Sequence, residues 1–334
     1  MGEDKSWAYF ESLIDRRGIV QFTRDGHKDY DMGYAIEDQA RALVLVARKG
    51  DLKLAREFAA LIREAQVPGE GVDMLRLSSG RLSGKADNYG EASAEVVWGL
   101  AEYYGLVGGD SGAKEMIREL MVGVRHSASL RTLAYSILGE AKMEDKDEVK
   151  FLSGKLVNSY RVNSMEGWWW FEPRMTYANA LLPWALFEAY KLLGEDELLN
   201  TASYSLKFLL ERLSRDGVPV VVGNQNWWEK GGEMALYDQQ PIDPSYMVMA
   251  CGAAFEATGV KEYQDGADKY YSWFSGSNLV GKSLIGEKGQ CFDGLAPSGV
   301  NSNAGAESMI CYLLARVEIE NIQRSNAKTT EVGY

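Results

Sequence analysis

The segment WWWFEPRMTYANALLPWALFEAY, residues 168–190, sets Glu172 directly after three tryptophans and a phenylalanine. Apolar surroundings disfavour a charged carboxylate, so Trp168, Trp169, Trp170 and Phe171 would raise the pKa of Glu172 and keep it protonated as a general acid near neutral pH. The alternative is that these aromatics fill the core beneath a long loop. Four more segments are rich in polar residues, namely DYDMGYAIEDQARA, KADNYGEAS, GGEMALYDQQPIDPS and CFDGLAPSGVNSNAGAES. Carboxylates and amides pair with hydroxyls, while Trp and Tyr faces stack on the apolar side of a pyranose, so this mixture suits a sugar. Glycoside hydrolysis needs one carboxylic acid for the leaving oxygen and a second carboxylate as base or nucleophile. Glu172 is the candidate acid and Glu307 the candidate base, with Asp38 and Asp243 as competitors.

Each residue also has a plainer reading. Glu307 could serve a helix dipole from the first turn. Asp87, Asn88 and Glu91 would line one helix start, but Asn88 and Glu91 also have capping-box spacing. Asp293, Asn301 and Asn303 read by composition as turn formers.

The elements that must position these residues are helices. Apolar residues recur at helical spacing over about twelve runs, separated by Gly, Asn or Asp, and strand-like alternation is scarce. Only VPVVV at 218–222 and VDMLRLSSGRLSG at 72–84 suggest a short strand and a small hairpin. The helices fall into two alternating kinds. Runs such as DLKLAREFAALIREAQ and DELLNTASYSLKFLLERLSR are amphipathic, with one wet side. Runs such as ASAEVVWGLAEYYG, YMVMACGAAFEATG and AESMICYLLARVEI are apolar most of the way round and belong between neighbours. The second kind begins near residues 35, 88, 128, 176, 242 and 303. Six helical hairpins closed into an (α/α)6 toroid satisfy both kinds, giving an all-α domain over 1–322 and a polar tail over 323–334. All inner helices then run the same way, and the polar clusters gather at one end. The third start, VRHSASLRTLAYS, is the one without a carboxylate.

Charge and composition narrow the function. The 334 residues carry 36 Lys and Arg against 48 Asp and Glu, a formal charge of −12, so nucleic acid and anionic membranes are not expected partners. No apolar run approaches a membrane span of about 18 residues, and the start lacks a secretion signal, which points to the cytoplasm. Met-Gly at the start is a weak acylation signal. Cys251, Cys291 and Cys311 form neither a paired framework nor a metal clasp. No cofactor or metal is expected, because neither a phosphate-binding loop nor a Cys/His cluster is present. Histidine-based epimerisation is not expected from His27 and His126, which lie outside the polar clusters.

The segments WFEPRMTYANALLPWALFEA, YDQQPIDPSYMVMACGAAFEATG and CFDGLAPSGVNSNAGAESMICYLLA resemble a bacterial and archaeal group of the six-hairpin glycosidase superfamily, found beside or fused to glycosyltransferases. The resemblance runs from AIEDQARAL at 35–43 over most of the chain. It implies an (α/α)6 barrel with acid and base carboxylates in a central cleft, mostly with inversion. It carries site roles to Asp38, Arg41, Glu172, Tyr177, Asn179, Asp238, Gln239, Gln240, Asp243, Asp293, Asn301, Asn303 and Glu307. Trp169 and Trp170 join them as sugar-stacking residues. The chain departs from the group's pattern at AIEDQARAL, where a Thr-Asp-Asp-Asn start is usual, and at Ala304, where glutamine is. Two functions are expected from this: a hydrolase acting on a neutral oligosaccharide or glycoconjugate, or a non-catalytic sugar-binding partner of a glycosyltransferase system.

Overall fold

Glycine and aspartate punctuation cuts the chain into helical hairpins, seen in a computed structural model that describes residues 4–24 and 26–331. The Met-Gly start lies outside the described residues. The helices are α1 (Lys5–Ser12), α2 (Ile36–Lys49), α3 (Leu52–Glu64), α4 (Glu91–Val107), α5 (Ser111–Val124), α6 (Leu130–Lys142), α7 (Lys146–Asn163), α8 (Leu181–Leu193), α9 (Asp196–Arg212), α10 (Ile242–Thr258), α11 (Lys261–Ser272) and α12 (Ala306–Glu331).

Four even-numbered helices end in a left-handed glycine, at Gly50, Gly108, Gly194 and Gly259. Only glycine takes that conformation without a Cβ penalty, so the chain reverses there. Asp51, Asp110 and Asp145 then accept backbone N–H groups and start α3, α5 and α7. The α6 hairpin departs from the rule, because Glu144 rather than glycine holds positive φ, at 58°.

The even-numbered helices close an inner ring in the order α2, α4, α6, α8, α10, α12 and back to α2. The odd-numbered ones form the outer layer, and α1 packs on α12 where the ring closes. Inner neighbours approach closely where a side chain is missing: a Cβ on Gly99 would lie 2.8 Å from the Ala40 carbonyl, and one on Gly139 2.7 Å from Val97. Midway along the ring Trp98, Tyr135, Trp184 and Tyr246, all almost fully buried, pack edge-to-face or stacked with centroids 5.4–6.3 Å apart. They plug the axis and separate its two ends.

The toroid expected from helix patterning is the observed architecture. Among the described residues β-structure is confined to two-stranded ladders and isolated bridges. Leu75–Arg76 pairs with Tyr34–Ala35 and also bridges to Leu82, so the 72–84 hairpin forms in part. In VPVVV only Val218–Pro219 is strand. Helix α12 continues through residues 323–331, where a tail was expected, and 332–334 lie outside the described residues. No described helix is long and apolar enough to cross a membrane.

Candidate active site

The N-terminal ends of the inner helices surround a cleft of about 560 Å³. The first turns of α2 supply Glu37, Asp38 and Arg41, and those of α4 supply Glu91 and Glu95. Tyr177 enters from the loop before α8 and Gln240 from the loop before α10. The hairpin Gly294–Ala296/Gly299–Asn301 and its flanks bring Asp293, Asn301 and Asn303, and α12 adds Glu307. Gln21 and Phe22 complete the wall.

Arg41 is the hub. Its Nη1 donates to both oxygens of Glu95 at 3.0 and 2.9 Å, and its Nη2 to Asp38 Oδ1 at 3.1 Å and Glu307 Oε2 at 3.0 Å. Burial works against the Arg41 charge, but Glu95, Glu307 and Asp38 outweigh it and push its pKa further up. Burial raises Asp38 to about 7 despite Arg41, and Glu307 adds repulsion. The side chain of Glu307 remains 38% exposed, which leaves it open to a ligand.

A second cation stands beside the cleft. Arg131, 6% exposed, sits 4.7 Å from the Tyr177 ring centroid and donates to the Tyr177 carbonyl at 2.8 Å and to Glu172 at 3.2 Å. The Tyr177 hydroxyl donates to Glu91 at 2.7 Å. Burial raises the pKa of Glu91, opposed by that hydrogen bond and by Arg131 and Arg41. Burial likewise raises Asp293, opposed by the Gly305 N–H. Glu37 is raised by burial, opposed by a hydrogen bond from its own backbone N–H and by Arg41, with Asp87 and Glu307 adding repulsion. Among the described residues no side chain hydrogen-bonds or ion-pairs with Glu37.

Of the residues singled out in the sequence, Asp38, Arg41, Glu91, Tyr177, Gln240, Asp293, Asn301, Asn303 and Glu307 line the cleft together. The tryptophan segment needs correction. Trp168, Trp170 and Phe171 are at most 4% exposed and pack against Tyr160, Phe208 and Trp228 or each other, so they fill the core beneath a loop. Trp169 is 43% exposed and is not part of the cleft wall. Glu172 is therefore not walled by apolar rings; it is ion-paired with Arg131 and also lies outside the wall, a poor placement for a proton donor.

Other candidates hold loops. Asp87 accepts from the Val72 and Ser93 N–H groups and the Ser93 hydroxyl, which caps α4 without a capping box. Asn88 is exposed at φ 52°. Asn179 closes a turn on Thr176. Gln239 is fully buried between Leu236 and Trp273, and Asp238 is half-buried in the same loop. Burial raises Asp243 to about 7 against the N–H groups of Asn179 and Ala178, which it accepts, so it supports the start of α8.

The residues overlooked were Glu37, Glu95, Phe22, Gln21 and Arg131. Glu95 had a signal, since it lies one turn after Glu91 inside an otherwise apolar helix. Arg131 had one too, as a charge in the first turn of a buried helix.

No protein-family model matches the sequence, and no curated relative does. Solved structures do match. A cellobiose 2-epimerase from Spirochaeta thermophila superimposes with a TM-score of 0.75 at 14% identity, over 98% of this chain and 95% of that one. A sugar epimerase from a ruminal bacterium gives 0.73 at 14%, over 96% of each chain. A family 76 α-mannanase from Bacteroides thetaiotaomicron gives 0.67 at 10%, over 98% of each. At such identities the likeness is one of fold, and the fold is an (α/α)6 barrel.

Proposed function

We propose that this chain is a glycoside hydrolase-like enzyme that opens a bond in a neutral oligosaccharide or glycoconjugate, with inversion, in the cytoplasm. One observation carries the reading: a single cleft combines the carboxylates Glu37, Asp38, Glu91, Asp293 and Glu307, the amides Gln240, Asn301 and Asn303, and the aromatic faces of Phe22 and Tyr177. Hydroxyls, a pyranose face and an acid–base pair each find a partner there.

The fold alone does not choose among the reactions named for its structural neighbours. The cleft composition favours hydrolysis, since neither His27 nor His126 is in the wall and carboxylates are abundant. Among the described residues Arg41 is the one cation in that wall, and it is already engaged by three carboxylates, which disfavours an anionic sugar.

The test is incubation with a panel of neutral gluco- and manno-oligosaccharides, following reducing-end release and, by NMR, the anomer first formed. Release that disappears in Glu307→Gln supports the proposal. Binding by calorimetry without release would support the second reading, a sugar-binding partner of a glycosyltransferase system.

A further inference from the structure

We propose that Glu37 is the general acid of this cleft, protonating the departing glycosidic oxygen while Glu307 takes a proton from the attacking water. The assignment rests on the hydrolase reading above and was not visible in the sequence motifs.

The argument is one of partners. Asp38, Glu95 and Glu307 all accept from Arg41. Glu91 accepts from the Tyr177 hydroxyl and Asp293 from the Gly305 N–H. A carboxyl turned onto a cation or onto a donor of another residue is held by that partner. Glu37 lines the same wall, and the one donor it accepts from is its own backbone N–H; among the described residues no cation and no side chain holds it, so its proton can be directed to a ligand.

Position agrees. Glu37 lies in the first turn of α2 and Glu307 in the first turn of α12, neighbours in the ring, and the two charges sense each other. Asp38 cannot flank a bond opposite Glu307, because Asp38 and Glu307 clasp the same Arg41 nitrogen. The raised pKa of Glu37 is the direction an acid requires.

In the step itself the C1–O bond breaks, and its electron pair leaves with the oxygen, which gains the Glu37 proton. Water forms the new C1–O bond and gives its proton to Glu307. Solvent then returns a proton to Glu37 and removes one from Glu307.

Leaving-group dependence tests this directly. Wild type, Glu37→Gln and Glu307→Gln are assayed on neutral gluco- and manno-oligosaccharides and on the matching 2,4-dinitrophenyl glycosides, whose leaving group needs no protonation. Glu37→Gln should lose about 10²–10⁴-fold on oligosaccharides yet stay within about tenfold on dinitrophenyl glycosides. Glu307→Gln should lose both. Glu37→Asp, which keeps the acid but withdraws it, should show the same selective loss to a smaller degree. Equal losses on the two substrates, or none on oligosaccharides, would overturn Glu37 while leaving the hydrolase reading intact. A wild type inert on both would overturn that reading and Glu37 with it.

Discussion

The two ends of the ring axis offer spaces of almost equal size and opposite character. The N-terminal cleft is about 560 Å³ and the C-terminal cavity about 570 Å³, with the aromatic quartet of Trp98, Tyr135, Trp184 and Tyr246 between them. At the C-terminal end most charges are matched, Glu318 being the buried carboxylate that makes no ion pair among the described residues. Arg48 donates to Glu102 at 2.7 and 2.9 Å, Lys142 lies 3.4 Å from Glu102, and Lys191 joins Glu188 and Glu256 at 2.8 and 2.5 Å. At the N-terminal end one arginine serves three carboxylates, and Glu37, Glu91 and Asp293 stand around it without a cation in contact. Buried unmatched carboxylates cost stability, and their concentration at the N-terminal end is what the proposed catalysis there requires. Volume alone would have favoured neither.

Removing each hub cation should break that comparison most visibly. Arg41→Met leaves Glu95, Asp38 and Glu307 facing one another and should cost about 3–5 kcal/mol or prevent folding, measured by urea denaturation. Arg48→Met should cost only about 1–2 kcal/mol, because Lys142 still faces Glu102.

Neutralising one carboxylate at each end should separate them by function. Glu307→Gln should reduce oligosaccharide turnover at least about 100-fold, whereas Glu188→Gln in the opposite cavity should leave kcat/KM within about twofold.

A pH series sharpens the comparison further. Asp38, Asp243, Glu140 and Glu318 are each raised to about 7, chiefly by burial. A carboxyl whose folded pKa exceeds its unfolded value contributes stability that is present at low pH and is lost as pH rises through about 7. Asp15, Asp73 and Glu102 are lowered, burial being opposed by their hydrogen bonds or ion pairs, and they contribute stability that is lost as pH falls below the unfolded carboxylate range. The melting temperature should therefore be higher at pH 5.5 than at pH 8, a difference measurable by scanning calorimetry. Asp38→Asn should flatten the decline above pH 6.

The smallest effect concerns the hairpin without glycine. Glu144→Gly should stabilise the fold by up to about 1 kcal/mol, because a left-handed non-glycine residue costs about 1–2 kcal/mol and the added unfolded-state entropy offsets part of that. A higher urea midpoint with an unchanged slope would show it.

Much of the ring was legible. Inner helices were expected to start near 35, 88, 128, 176, 242 and 303 and start at Ile36, Glu91, Leu130, Leu181, Ile242 and Ala306. The two clearest displacements have a backbone cause. Asn88, Tyr89 and Ala178 hold positive φ at 52°, 58° and 48°, which blocks helix there although their side chains fit the pattern. The site was less legible, because helix starts draw the same Asp, Asn and Glu for capping as for ligands. Asp87 and Asp243 hold backbone N–H groups while Asp38 and Glu307 face the cleft, and only packing separates the two uses. The tryptophans misled for a related reason: a large ring beside a carboxylate fits a core as well as a sugar wall.

A crystal structure of Glu307→Gln soaked with an oligosaccharide that the wild type cleaves tests the central claim most directly. The account predicts a sugar ring in the N-terminal cleft, within hydrogen-bond reach of Glu37 and against Tyr177 or Phe22. Sugar seated in the C-terminal cavity beside Arg48 and Lys191, with the cleft holding only water, would contradict it.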